Sequence, residues 1–207
     1  MTPPDHPSQA AVEAANRLRQ EHRAKRAALS QATLAQHASA LQQQVQSLPA
    51  FQRANHLAGY IAIRGEIDVA PLLHSAHEAG KCVYLPALRG ERMLFLPYLP
   101  GSALKTVGMG LQEPDSDDSN AIDPEKLDLV LTPLVTFDAS GNRIGQGGGY
   151  YDRTFAFSRE PNKTTPFLLG VAHDSQREPA LSPMPWDVSL NAIATDTTLY
   201  CRADPTP

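Results

Sequence analysis

The stretch from residue 57 to residue 85 constrains the fold most. An apolar run at 57–63 leads to Asp68. A helical pattern follows to Ala79, with Leu72, Leu73 and Ala76 on one side, then Gly80 and a second apolar run at 81–85. Short runs rich in branched and aromatic residues read as buried strands. An Asp before the helical pattern and a Gly after it mark the ends of a helix. Strand, short helix, glycine and strand make a βαβ unit, whose crossover forces the two strands parallel. Further strands are predicted at 127–132, 167–172 and 192–195, and an edge strand at 93–98, where Pro97 removes a ladder donor. The expected fold is α/β: a doubly wound, mostly parallel sheet with helices on both faces.

The chain of 207 residues is read as a single domain, 1–207, with 1–9 as a flexible tail. Hydrophobic residues at 42% and charged residues at 19% describe a globular chain. The net charge of −4 gives no general attraction for nucleic acid or an anionic membrane, so any anionic ligand must be held by a local cluster. No apolar run has membrane-spanning length, and the N-terminus lacks a cationic start followed by an apolar stretch. A cytoplasmic monomer is expected. Cys82 sits in an apolar run and reads as a buried small hydrophobe. With Cys201 it forms neither a zinc spacing nor a disulfide framework.

Two helices are predicted first. Ser8 caps one that runs from about Ala10 to Leu29, with Val12, Ala15, Leu18 and Leu29 on its apolar side. Its exposed face carries Arg17, Arg19, Arg23, Lys25 and Arg26, which is unusual in an acidic protein and suits a polyanionic ligand. Ser30 caps the second, which turns Leu34, Leu41, Val45 and Leu48 inward until Pro49 stops it. Residues 112–126 read as an acidic, turn-rich loop. It lacks the glycine and terminal glutamate of a calcium loop.

The chemistry concentrates in Gly141-Asn142-Arg143-Ile144-Gly145-Gln146-Gly147-Gly148-Gly149-Tyr150-Tyr151-Asp152-Arg153. Glycine loses the most chain entropy on ordering, so such a cluster is costly unless backbone must come close to something. Consecutive N–H groups unobstructed by Cβ atoms form an anion-binding nest, and a following helix start adds its positive end. The P-loop template fails, because no Gly-Lys-Ser/Thr is present; the dinucleotide fingerprint fails, because Tyr150 occupies its sixth position.

The segment from Thr132-Pro133 to Phe137-Asp138, continuing through this glycine run to Tyr150-Tyr151-Asp152-Arg153, resembles the 5-formyltetrahydrofolate cyclo-ligase family, also called 5,10-methenyltetrahydrofolate synthetases. Agreeing stretches are Leu18-Arg19 to Arg26, Gly65-Glu66-Ile67-Asp68, Gly80 to Pro86, Gly170 to Gln176 and Trp186-Asp187. The resemblance covers about residues 15–200.

The resemblance implies the fold of the NagB/RpiA/CoA-transferase group and an ATP- and Mg²⁺-dependent ring closure. The γ-phosphoryl of ATP passes to the formyl oxygen of 5-formyltetrahydrofolate; N10 then attacks the activated carbon and phosphate leaves, giving 5,10-methenyltetrahydrofolate and ADP. Such catalysis rests on positioning and charge neutralisation. By resemblance, Arg19 and the run Arg143, Ile144, Gly145, Gln146, Gly147, Gly148, Gly149, Tyr150 and Tyr151 would bind ATP, with Arg143, Tyr150 and Tyr151 catalytic. Gln146, Gly147, Gly148, Gly149 and Tyr150 would also face the folate, with Glu66 on the pterin and Ile61 as an apolar wall. Asp152 and Asp187 would hold Mg²⁺. The family places a lysine four residues before Arg19, where this chain has Ala15. Two alternatives stay open: a non-catalytic folate- or nucleotide-binding module on the same scaffold, and, by fold analogy, a sugar-phosphate isomerase or acyl-CoA transferase relative.

Overall fold

The strands, in chain order, are β1 (His56–Ala58), β2 (Cys82–Arg89), β3 (Arg92–Pro97), β4 (Leu104–Val107), β5 (Leu111–Pro114), β6 (Leu129–Pro133), β7 (Thr136–Phe137), β8 (Arg143–Ile144), β9 (Phe167–Val171), β10 (Ala192–Ala194) and β11 (Leu199–Cys201). The helices are α1 (Gln9–Ala27), α2 (Gln31–Ser47), α3 (Pro49–Arg53), α4 (Ala70–Glu78) and α5 (Tyr150–Thr154). The structure, a computed structural model, describes residues 8–108, 111–160 and 165–202.

Seven strands form one sheet in the order β11-β10-β9-β6-β1-β2-β3. The inner neighbours run parallel, and β3 and β11 close the two edges antiparallel. Successive residues of the central strands enter opposite layers. Leu57, Leu129, Leu131 and Leu169 join Leu41 and Val45 of α2, Phe51 of α3 and Leu72 and Leu73 of α4. Ala58, Val130, Leu168 and Ile193 join Phe137, Phe155, Val188 and Leu190 on the other face. Strands buried on both sides read as continuous apolar runs, which is why they were legible without alternation. Each of those fully buried leucines contributes about 1.5–3 kcal/mol of transfer free energy.

The expected α/β sheet is present, with several boundaries moved. The strand expected at 57–63 is only His56–Ala58; the Gly59 N–H makes a last bond to the Tyr84 carbonyl and the chain then turns into a loop above the sheet. Asp68 accepts from the Ala70 N–H, but the helix begins at Ala70, with Val69 as its flanking residue. Residues 112–126 are not a plain loop, because β5 pairs with β4 before two 3-10 turns. The helix start that follows the glycines is α5, which ends at Thr154 and is followed by a 3-10 turn at Ala156–Arg159. Cys82 is exposed, not buried, as the first residue of β2. Pro97 does lie on an edge strand. Ser8 and Gln9, assigned to the tail, open α1: the Ser8 hydroxyl accepts from the Ala11 N–H. Residues 1–7 of that tail lie outside the described residues.

The largest departure concerns α1. Its buried residues are His22 and Arg26, whereas Val12 is 41% exposed. The basic face is therefore divided: Arg17 and Lys25 face solvent, while Arg19, Arg23 and Arg26 turn toward the body of the protein. The face follows charge and hydrogen-bond partners, not apolarity.

Candidate active site

The parallel strands β1, β6 and β9 deliver three loops to their carboxyl edge, where open α/β sheets place their ligands. The β6 loop carries the glycines. Its base is a short β7–β8 ribbon, closed by the buried Asp138 carboxylate, which accepts from the backbone N–H groups of Ser140, Asn142 and Leu181 and from the Asn142 side chain. With every lone-pair direction engaged, Asp138 fixes the stem from which the glycine loop projects.

Helix α1 lies against that loop. Arg19 Nε donates to the Gly145 carbonyl at 2.9 Å, and Arg23 Nη2 donates to Gln146 Oε1 at 2.7 Å. Gln146 then donates to Glu66 Oε1 at 2.8 Å. Glu66 is 8% exposed; its second oxygen accepts from the Ile63 N–H, and Arg26 Nη1 lies 3.8 Å away. Burial pushes the Glu66 carboxyl up, and the Arg26 charge and the hydrogen bonds from Ile63 and Gln146 oppose that rise.

The β1 loop is held equally firmly. His173 Nε2 donates to the Gly65 carbonyl at 3.0 Å, so its Nδ1 must accept, and it does so from His37 Nδ1 at 2.8 Å. Gly65 has φ +74°, and a Cβ there would sit 2.9 Å from the Arg26 carbonyl oxygen. Arg64, with φ +50°, is the only non-glycine residue in the left-handed region among the described residues.

At the far end of the glycine loop, Gly149 caps α5 with φ +65°. The Tyr150 hydroxyl donates to the Gly90 carbonyl at 3.0 Å, and Arg153 stacks over its ring. The Tyr151 hydroxyl is buried without a partner, and burial together with the Glu66 charge pushes it up. Asp152 Oδ1 accepts from Arg143 Nη2 at 2.7 Å and from the Val188 N–H at 3.0 Å, while Arg143 Nη1 donates to the Val188 carbonyl. Asp187, the preceding residue, accepts from the Met184 N–H through Oδ2. Burial pushes its carboxyl up; the Met184 bond opposes this, and the Asp152 charge adds to it. The two carboxylates therefore share one electrostatic neighbourhood.

Arg19, Gln146, Glu66, Arg143, Tyr150, Tyr151, Asp152 and Asp187 are thus gathered around one loop. Ile144 pairs with Thr136 in the ribbon, and Gly147 and Gly148 form the exposed crest. Ile61 is placed differently: it lines a cavity of about 380 Å³ with Asp68, His74 and Tyr98, none of them from the glycine loop. Sequence reasoning placed Arg23 and Arg26 with Arg19 on an exposed face suited to a polyanionic ligand and missed their contacts with Gln146, Leu134 and Glu66. Their spacing from Arg19, one and two helical turns on, was the available signal.

A parallel α/β sheet carrying this charged, hydrogen-bonded cluster at its carboxyl edge belongs to a ligand-converting enzyme. The chain is a member of the 5-formyltetrahydrofolate cyclo-ligase family, whose family model matches residues 11–196. It is 37% identical over 155 residues to the 5-formyltetrahydrofolate cyclo-ligase of Escherichia coli K12, covering 73% of this chain and 84% of that protein. It is 38% identical over 143 residues to the Haemophilus influenzae protein of that description, covering 67% and 74%. The solution structure of Aquifex aeolicus 5,10-methenyltetrahydrofolate synthetase superposes with a TM-score of 0.79 at 26% identity, covering 93% of this chain and 95% of that one. The relatives are named as enzymes, so a non-catalytic module is set aside.

Proposed function

We propose that this site converts 5-formyltetrahydrofolate and ATP into 5,10-methenyltetrahydrofolate, ADP and phosphate. The γ-phosphoryl bond to ADP breaks as the formyl oxygen takes the phosphoryl group. N10 then attacks the formyl carbon, loses its proton and expels phosphate with that oxygen. The observation that carries this reading is the Gln146 bridge, which ties the glycine loop to the buried Glu66 carboxylate at 2.8 Å. A phosphate-binding loop and a carboxylate for the pterin N–H groups must adjoin if phosphoryl group and formyl oxygen are to meet.

In this reading, the glycine-loop N–H groups, Arg19 and Arg143 neutralise the ATP phosphates. Glu66 pairs with the pterin, and Tyr150 and Tyr151 wall the point of transfer. Ile61 contributes apolar surface on the folate side. Asp152 and Asp187 suit Mg²⁺: the hydrogen bonds described engage one oxygen of each, leaving two hard donors for a cation that keeps waters and phosphate oxygens. Bound there, Mg²⁺ would supply charge neutralisation at the phosphates. Arg143, paired with Asp152, is held beside that position. A reducing compartment such as the cytoplasm fits two cysteines that are both free.

The test mixes purified protein, 5-formyltetrahydrofolate, ATP and Mg²⁺ and follows methenyl product and ADP together. Equal amounts of both are expected, and an absence of folate-dependent ADP would overturn the reading.

A further inference from the structure

At the carboxyl ends of β9 and β10 a second group of side chains converges. The parallel register pairs Val171 with Ala194, so His173 and Asp196, each two residues further on, leave the sheet side by side. Helix α2 crosses above them. Its Gln44 donates to the Thr195 carbonyl, and His37, two turns earlier on the same face, reaches both side chains. His37, His173 and Asp196 each offer one nitrogen or oxygen ligand atom, and these atoms all lie within 4.8 Å of one another.

Two of the three donors are aimed from behind. His173 is fully buried, and its Nε2–H goes to the Gly65 carbonyl, which leaves Nδ1 as a lone pair. Asp196 Oδ1 accepts from the Asp174 N–H at 2.8 Å, which leaves Oδ2 facing His37. Outer hydrogen bonds of this kind fix the tautomer and direction of metal ligands. His37 lies between the two. Its Nδ1 donates to His173, so in the neutral ring Nε2 turns a lone pair toward Asp196 Oδ2 at 3.4 Å. A charge-assisted hydrogen bond would close to about 2.7–2.9 Å. Two ligands of a tetrahedral zinc ion, with bonds of about 2.1 Å, stand about 3.4 Å apart. The Asp196 side chain is 10% exposed and pairs with no lysine or arginine among the described residues, a costly position for a carboxylate without a cation.

We propose that His37, His173 and Asp196 bind a divalent ion of the zinc class, separate from the Mg²⁺ position at Asp152 and Asp187. Two imidazoles and one carboxylate select zinc or cobalt over magnesium, which takes oxygen donors. His173 and Asp196 stay where their outer partners hold them. The half-exposed His37 ring turns so that one nitrogen meets the ion, and its ring proton stays on the other nitrogen. Neither a proton nor an electron is lost. The partial exposure of His37 leaves the fourth position to water. The ion ties α2 to the ends of β9 and β10 and, through His173, to the Gly65 turn that precedes Glu66. This site does not depend on the cyclo-ligase reading.

The test titrates Zn²⁺ calorimetrically into tag-free protein, with excess Mg²⁺ present to fill positions built from oxygen donors. A parallel titration with Co²⁺ reads the visible absorption of a tetrahedral site. One ion per chain is expected, with the melting temperature raised by about 5–10 °C at roughly a hundredfold excess over Kd. His37→Gln keeps an amide donor for His173, and Asp196→Asn keeps an acceptor for the Asp174 N–H. Both variants should therefore melt as the wild type does in the presence of chelator. Each should weaken zinc binding at least about 100-fold, since losing an outer partner alone costs about 10–100-fold. Glu178→Gln, which breaks the grouping of Glu21, His22 and Glu178, should leave the isotherm unchanged, as should Cys82→Ser with Cys201→Ser. Wild-type zinc affinity in His37→Gln or Asp196→Asn would overturn the proposal. So would loss of binding in either control, an octahedral cobalt spectrum, or no binding by the wild type.

Discussion

Gln146 donates to Glu66 at 2.8 Å while its own carbonyl side accepts from Arg23. One side chain therefore couples the glycine loop, the β1 loop and helix α1. Glu66 is buried and Arg23 half-buried, whereas Gln146 itself is exposed, so water can take over the Gln146 contacts when one partner is changed.

Replacing Glu66 by Gln removes the charged acceptor. The folate KM should rise about 10–100-fold, the range for a hydrogen bond to a charged group, with the ATP KM unchanged. Because burial raises the Glu66 pKa, the wild-type folate KM should begin to climb above the ordinary glutamate range of about 4.3 as pH falls, and this limb should vanish in Glu66→Gln. The sign for stability is opposite to the usual carboxylate. The unfolded chain releases this proton first, so the Glu66 contribution weakens as pH rises from the unfolded to the folded pKa. Steady-state kinetics and thermal melts across pH measure both; a flat wild-type KM would count against a role in folate binding.

Asp152→Asn preserves an acceptor for Arg143 and the Val188 N–H, so the fold should survive with at most about 1–2 kcal/mol lost. Mg²⁺-dependent turnover should fall at least about 100-fold. Magnesium titration of ADP formation, beside a melting curve, decides this: wild-type turnover would remove Asp152 from the metal position.

Arg19→Ala breaks the bond to the Gly145 carbonyl and removes a cation from the loop. The expected result is a rise of about tenfold or more in the ATP KM and a smaller one in the folate KM. Equal rises would place Arg19 outside the nucleotide contacts.

Gly149→Ala puts a Cβ at φ +65° and 2.7 Å from Arg153 Nη1. The left-handed backbone alone costs about 1–2 kcal/mol, so the melting temperature should fall by a few degrees. kcat should fall with it, because the α5 start carries Tyr150, Tyr151 and Asp152. Calorimetry and single-turnover assays report the two separately; an unchanged kcat would show the cap to be purely structural.

The sequence by itself determined the sheet's central strands, the Ser8 and Ser30 caps and the glycine loop, because each rests on local chemistry: apolar runs, side-chain oxygens near free N–H groups and missing Cβ atoms. The resemblance named Glu66, Asp152 and Asp187 one by one, but not their partners. Only the tertiary structure turned Arg23 and Arg26 inward. A helix with arginines on one face looks solvated until a neighbouring loop offers carbonyl and side-chain amide acceptors, and that loop comes from more than one hundred residues away. The same holds for the short β1: its apolar run continues past Ala58, but the strand ends there, and the chain goes on to a turn with Arg64 and Gly65 in the left-handed region and Glu66 buried behind it. Burial and charge pairing are set by which elements meet, and that information lies in the packing of the whole chain.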